Sequence, residues 1–175
     1  MRSLTWVFVC VLGLLAKSHV AEAAPSAHVT RVHIKKEDHT LTLYAGDTVV
    51  ASYRVALGPG GTGPKRREGD RRTPVGRYHV IAHAPSQYKV FLRLDYPNDD
   101  DRRRFARAKR EGELGAEARI GGDIGIHGPP QSMAVEDRAG LKASDWTLGC
   151  IALDDGEIAE VARRVRDGTV VDIED

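Results

Sequence analysis

Two side chains of this sequence stand out as able to do covalent chemistry together, the thiol of Cys150 and the imidazole of His127. A free thiol is only slightly ionised near neutral pH, so a cysteine enzyme needs a base beside it, and imidazole is the usual one. Each residue adjoins a glycine, in Ile126-His127-Gly128 and in Thr147-Leu148-Gly149-Cys150-Ile151. A glycine before the nucleophile lets a substrate carbonyl come close to the backbone. Backbone N–H groups at Gly149 and Cys150 then form a candidate oxyanion hole. The 23-residue offset puts the pair on different elements, so the fold has to bring them together. One Cys and one His are weak evidence alone: a buried structural Cys is common, and so is a strand-end His bonded to backbone.

The cysteine count narrows the choice. Cys10, the only other cysteine, lies in a segment with the marks of an export signal. Arg2 supplies a positive start, and Leu4 to Ala16 is an uncharged run of 13 residues, short of the roughly 20 that span a bilayer. Ala21-Glu22-Ala23 has the small-x-small cleavage pattern, and Pro25 disfavours a cut after Ala24. The expectation is a signal peptide at 1–23 and one catalytic domain at 24–175, with an uncleaved anchor as the competing reading. Removal of Cys10 leaves Cys150 without a disulfide partner in an oxidising compartment. Loss of Arg2, Lys17 and Glu22 takes the basic residues from 26 to 24 and the acidic ones from 25 to 24. A near-neutral mature chain has no general pull toward nucleic acid. No second apolar span follows, so no stable membrane span is expected after cleavage.

The elements that must position the pair read mostly as strands. Val29–Lys36 alternates, and Thr40–Tyr44 and Thr48–Leu57 follow across short polar turns, as in an antiparallel meander. Gly58–Gly69 has the composition of a flexible loop and is expected at the rim of the cleft. Val75–Ala82 and Lys89–Leu94 read as strands, and the charged run from Asn98 to Gly112 as a short helix with Asn98 or Asp99 near its cap. Asp123–His127 is a short strand, 129–145 irregular, and Thr147–Leu153 surrounds the cysteine. Asp154 with Glu157 resembles a capping box, and Ile158, Val161, Ala162 and Val165 form one apolar stripe. Gly168 suits the position just past that helix, and Thr169–Ile173 closes as a strand. Seven or eight short strands with two helices give a mostly-β fold class: an antiparallel sandwich or barrel-like domain with peripheral helices.

The order of these segments resembles the YkuD-type (ErfK-type) L,D-transpeptidase catalytic domain. That family carries a His-Gly pair and then Ser/Thr-x-Gly-Cys followed by Ile or Val, matched here by His127-Gly128 and Thr147 to Ile151. Gly69-Asp70 with Thr73-Pro74, Gly76 and Tyr78 resembles the family's GD-x-x-TP-x-G-x-Y segment. Lys65, Leu94 to Asn98 and Gly121-Gly122 also fit, and the likeness runs from about Val29 to Ile173. It implies that Cys150 is the nucleophile and His127 the general base and acid, with backbone support from Gly149 and Gly128 and further support from Thr147 and Tyr78. It implies a peptidoglycan tetrapeptide stem as donor and another as acceptor, a thioester intermediate, 3→3 cross-links or attachment of other amines to tetrapeptide stems, no cofactor and no metal. It implies work in cell-wall biogenesis and cell shape outside the cytoplasm, in the periplasm of a Gram-negative cell. The alternatives are an L,D-carboxypeptidase or other hydrolase using the same pair, and an inactive wall-binding domain. The sequence departs from many relatives in two places: Leu148 stands where a His precedes Gly-Cys, and Ala152 where an Arg or Asn follows. One branch of the family carries the Trp-Thr-x-Gly-Cys-Ile-Ala form. The departures leave open which Arg or Lys meets a substrate carboxylate.

Other candidates have plainer readings. Gly58 to Lys65 fails as a phosphate loop, because Pro64 splits the Gly-Lys pair and Arg66 follows. Arg66-Arg67, Arg71-Arg72 and Arg102–Arg104 are interleaved with acidic residues, as on a solvated face. The remaining histidines have no metal-ligand spacing with Cys150. Trp146 reads equally well as a cleft wall and as core packing, and Asp70 as a turn residue.

Overall fold

Alternation of apolar and polar residues builds most of this molecule. The computed structural model describes residues 28–175, so the export-signal segment lies outside the described residues. The strands are β1 (Arg31–Lys35), β2 (Thr40–Ala45), β3 (Thr48–Arg54), β4 (Gly76–Ser86), β5 (Lys89–Leu94), β6 (Gly125–His127), β7 (Ile151–Ala152) and β8 (Val170–Glu174). They form one eight-stranded sheet in the order β3-β2-β1-β8-β4-β5-β6-β7. The antiparallel expectation needs correcting, because the sheet is mixed. The final strand, β8, inserts between β1 and β4, parallel to the first and antiparallel to the second. β7 lies parallel to β6. Parallel neighbours need long crossovers, and the segment between His127 and Ile151 supplies the one that matters for function.

The sheet curls on itself. Its register shifts between Val80 and Ala82 in β4, a bulge of the kind that bends and twists a strand. Beyond β3 the chain stays extended, and Ala56 exchanges both backbone hydrogen bonds with Ala152 of β7, at 3.0 and 2.8 Å. One edge strand thereby meets the other, closing the sheet in a barrel-like way. Inward residues of every strand but β3 fill the interior: Val32 and Ile34, Leu41 and Leu43, Tyr78 and Val80, Leu92 and Leu94, Ile126, Ile151, Val171 and Ile173 are all buried. The helix α3 (Asp155–Arg164) lays Ile158 and Val161 on this core. It starts at a capping box made by Asp154 and Glu157, as the sequence suggests.

The helix α1 (Asp99–Arg110) begins at Asn98, with a reciprocal box to Asp101. Acidic residues in its first turn and basic ones in its last oppose its dipole favourably. A four-residue helix α2 (Val135–Arg138) and a 3₁₀ turn (Leu141–Ala143) lie within the expected irregular stretch. Gly168 does not cap α3, whose C-cap is Val165. Gly168 instead takes a left-handed φ of 86° in the turn into β8 and donates to Val80 O at 2.7 Å. Among the described residues no helix is long and apolar enough to cross a membrane.

Candidate active site

Strand parity places the thiol and the imidazole together. His127 is in register with Ala152 on the neighbouring parallel strand, and Cys150 lies two residues before that partner. Residues two apart on a strand share a face, so Cys150 and His127 project to the same side of the sheet. Phe91, in register with His127, and Arg93, in register with Gly125, share that face from β5. Together with Tyr88, Asp123, Trp146 and Leu148 these side chains border a cleft of about 640 Å³.

His127 is held in one orientation and one tautomer. Its Nδ1 lies 2.7 Å from Gly128 O. A carbonyl only accepts, so Nδ1 carries the proton and Nε2 of the neutral ring is a free acceptor. Aromatic rings pack around the imidazole. Phe91 stacks on it at 5.7 Å and 10°, Tyr88 lies tilted at 4.3 Å, and Trp146 meets it edge-on at 5.7 Å. The Trp146 Nε1 is itself buried without a protein acceptor. Burial in this apolar nest pushes the His127 pKa below its ordinary 6.5, while the Gly128 carbonyl pulls weakly the other way. The ring is therefore neutral at pH 7, the form a general base needs. Gly125 makes the nest possible, because a Cβ there would lie 2.4 Å from the Phe91 ring.

Cys150 is half-buried and unpaired. Its thiol donates to Asp123 O at 3.5 Å rather than to the imidazole. Burial pushes its pKa up to about 11, against the Gly125 N–H and the positive charges of Lys65 and Arg93, which favour the thiolate. The resting pair is thus a neutral thiol beside a neutral imidazole.

The turn before Cys150 is built by Thr147. Its hydroxyl donates to Cys150 O at 2.8 Å and accepts from Gly149 N–H at 3.1 Å, while its own N–H bonds Leu57 O at 3.1 Å. The Gly149 N–H, expected in the oxyanion hole, is therefore already engaged. The Gly128 N–H is likewise bonded to Tyr88 O, at 3.2 Å. The Cys150 N–H meets no side-chain or loop acceptor among the described residues and remains the available donor. Gly149 has φ of 126°, and a Cβ on it would sit 2.5 Å from Arg72 O. The glycine permits this close backbone approach within the protein.

The Gly58–Gly69 loop also differs from expectation. It does not border the cleft but packs against the turn before Cys150. A Cβ on Gly58 would meet Arg71 O at 2.0 Å and Gly149 N at 2.9 Å. Asp70 ties this region together, accepting from Lys65 Nζ at 2.6 Å and from the N–H groups of Arg66, Arg67 and Arg72. Burial works against its charge, but the buried lysine and those three N–H groups hold its carboxyl below the usual range. Tyr78 lies away from the cleft. It is buried in the core, with its hydroxyl on Asp101 Oδ1 at 3.1 Å and Val75 O at 3.3 Å. Its role is to anchor α1 to β4. Ala152 is buried between His127 and Ala56 in the register.

Tyr88, Phe91, Arg93 and Asp123 were not singled out from sequence. The alternation of Lys89–Leu94 carries the signal for two of them: Leu92 and Leu94 face the core, so Phe91 and Arg93 must face the other way. Among the described residues no group of three or more His, Cys, Asp or Glu converges to hold a metal ion.

A family model described as the L,D-transpeptidase catalytic domain, YkuD, matches residues 29–173. YafK of Escherichia coli K12, which carries a provisional L,D-transpeptidase name, is 36% identical over 78 residues, 41% of this chain and 32% of that protein. The crystal structure of the helical cell shape determining protein Pgp2 of Campylobacter jejuni superposes with a TM-score of 0.59 at 26% identity, over 85% of this chain and 48% of that one. L,D-transpeptidase 1 of Mycobacterium tuberculosis shares the fold, with a TM-score of 0.50 at 14% identity over 85% of this chain and 62% of the other. The chain spans about a third of YafK's length and about half of Pgp2's.

Proposed function

The chain belongs to the L,D-transpeptidase catalytic domain family, and on that premise we propose that it is an exported acyltransferase acting on peptidoglycan tetrapeptide stems, with Cys150 as nucleophile and His127 as base. The single observation that carries the reading is the shared cleft. A half-buried thiol just before β7 and an imidazole with a free Nε2 on the adjacent parallel β6 both border it. As substrate enters, Cys150 rotates about χ1 from Asp123 O toward Nε2; such contacts are often loose before a ligand binds. Sulfur attacks the carbonyl joining the L-centre of diaminopimelate to D-Ala as its proton passes to Nε2. The Cys150 N–H donates to the oxyanion. The C–N bond breaks, D-Ala leaves with that proton on its amine, and a thioester remains. A side-chain amine of a second stem then attacks, the sulfur regains a proton through His127, and a 3→3 cross-link results. Attack by water instead gives a tripeptide stem and a carboxypeptidase. Export to the periplasm belongs to the same proposal, supported by the N-terminal pattern of the sequence. The Pgp2 likeness supports a role in cell shape.

Incubation of the protein with purified sacculi, followed by mass analysis of the released muropeptides, tests this. New 3→3 dimers, absent with Cys150→Ala, are expected. Tripeptide stems without dimers would make the enzyme a hydrolase, and unchanged muropeptides would overturn the catalytic reading.

A further inference from the structure

Arg93 and Asp123 form an ion pair at the wall of the cleft, Nη1 to Oδ1. Both side chains are exposed, 43% and 82%, and neither makes another side-chain hydrogen bond among the described residues. The pair sits close to the reacting atom: Asp123 accepts the Cys150 thiol on its backbone oxygen, and Arg93 stands two residues from Phe91, which stacks on His127. The Arg93 guanidinium lies 5.5 Å from the Phe91 ring centroid, an arrangement that steadies it by cation–π attraction. Among the described residues Arg93 is the one lysine or arginine bordering the cleft, and the buried Ala152 offers no charge from β7.

We propose that Arg93 and Asp123 form a two-pronged clamp for a zwitterionic amino-acid end, the free D-centre of the diaminopimelate side chain in the donor stem. This rests on the stem reading above. Diaminopimelate presents, across a short alkyl spacer from the attacked carbonyl, a carboxylate and an ammonium on one carbon. The carboxylate takes the planar fork of Arg93, and the ammonium takes the Asp123 carboxylate. The existing ion pair opens to admit the ligand, exchanging one charge pair for two. The clamp makes this pair the specificity determinant of the site. A stem with lysine, which lacks that carboxylate, or one whose carboxylate is amidated, satisfies only one prong.

The test measures kcat/KM for the diaminopimelate tetrapeptide against the same stem carrying lysine or the amidated D-centre. Binding of each stem to Cys150→Ala is measured alongside by calorimetry. Wild type is expected to prefer the free diaminopimelate stem by about 10- to 100-fold, through KM, as charge-assisted hydrogen bonds suggest. Arg93→Gln is expected to bring the ratio near one, with Arg93→Lys intermediate and Asp123→Asn reducing affinity for the free stem. Unchanged melting of each variant separates this from misfolding. Equal turnover of all stems by wild type, or a ratio that survives Arg93→Gln, overturns the clamp while leaving the acyltransferase standing. Selective, Arg93-dependent binding to Cys150→Ala without turnover by wild type does the reverse. Absence of binding by any stem removes both.

Discussion

The chemistry of the pair is set by what surrounds each atom. Three aromatic rings exclude water from His127, and its Nδ1 is committed to Gly128 O. The imidazole is thereby kept neutral, with its lone pair on Nε2. Burial keeps the Cys150 proton on sulfur up to about 11. On the proposed function, catalysis would begin from thiol and imidazole, with the proton moving only when a carbonyl is in place to be attacked. The expected pH profile of kcat/KM is flat from 6.5 upward through neutral and mildly alkaline pH. It has an acid limb below 6.5, where His127 protonates, and an alkaline limb only near 11. Alkylation of Cys150 by iodoacetamide is expected to be slow at pH 7 and to climb as the pH approaches that value. A preformed thiolate–imidazolium pair would instead give fast, pH-independent alkylation at neutral pH.

At the scale of elements, the site depends on one tight turn and one crossover. Thr147 closes the turn with three hydrogen bonds, two through its hydroxyl. Thr147→Val keeps the shape and removes both hydroxyl bonds, leaving Gly149 N–H and Cys150 O unpaired in a buried place. A loss of about 1–3 kcal/mol is expected in urea unfolding. A fall on the order of 100-fold is expected in kcat/KM, because the nucleophile shifts. Retention of full activity would show that the turn does not position the sulfur. Much of this level was legible in the sequence. Period-two alternation located β1, β2, β4 and β5, and the Asn98 and Asp154 caps located both long helices. Other features depend on distant partners and leave no local mark. The parallel insertion of β8 between β1 and β4 is one. The use of Gly58 and Gly149 to let two loops touch is another. The likeness between Gly-rich flexible loops and Gly-rich braced loops made the 58–69 segment read as a cleft rim.

At the scale of the whole molecule, burial of two titratable groups in one cleft ties stability to pH. The folded His127 has a depressed pKa, so its neutral form contributes stability that is present above 6.5 and lost as pH falls through the folded value. The folded Cys150 has a raised pKa, so its contribution is present below the ordinary thiol value of 9.0 and lost as pH rises through about 11. Urea midpoints are therefore expected to stay level between about 6.5 and 9 and to decline on both sides. Cys150→Ser should flatten the alkaline decline relative to wild type; an identical decline in that variant would place the loss elsewhere. The closed sheet also explains how a small domain keeps Cys150 and His127 in register. The Ala56–Ala152 exchange joins its two edges directly beside His127 and Cys150, so movement of either edge is felt at the cleft.

The most direct test is intact-protein mass spectrometry after brief exposure to the purified diaminopimelate tetrapeptide stem. A covalent adduct with the mass of the stem minus D-Ala is expected on Cys150 of the wild-type protein, with release of free D-Ala. The adduct should be absent from Cys150→Ala and strongly slowed in His127→Ala. Release of D-Ala at an undiminished rate by the Cys150→Ala protein would contradict the account.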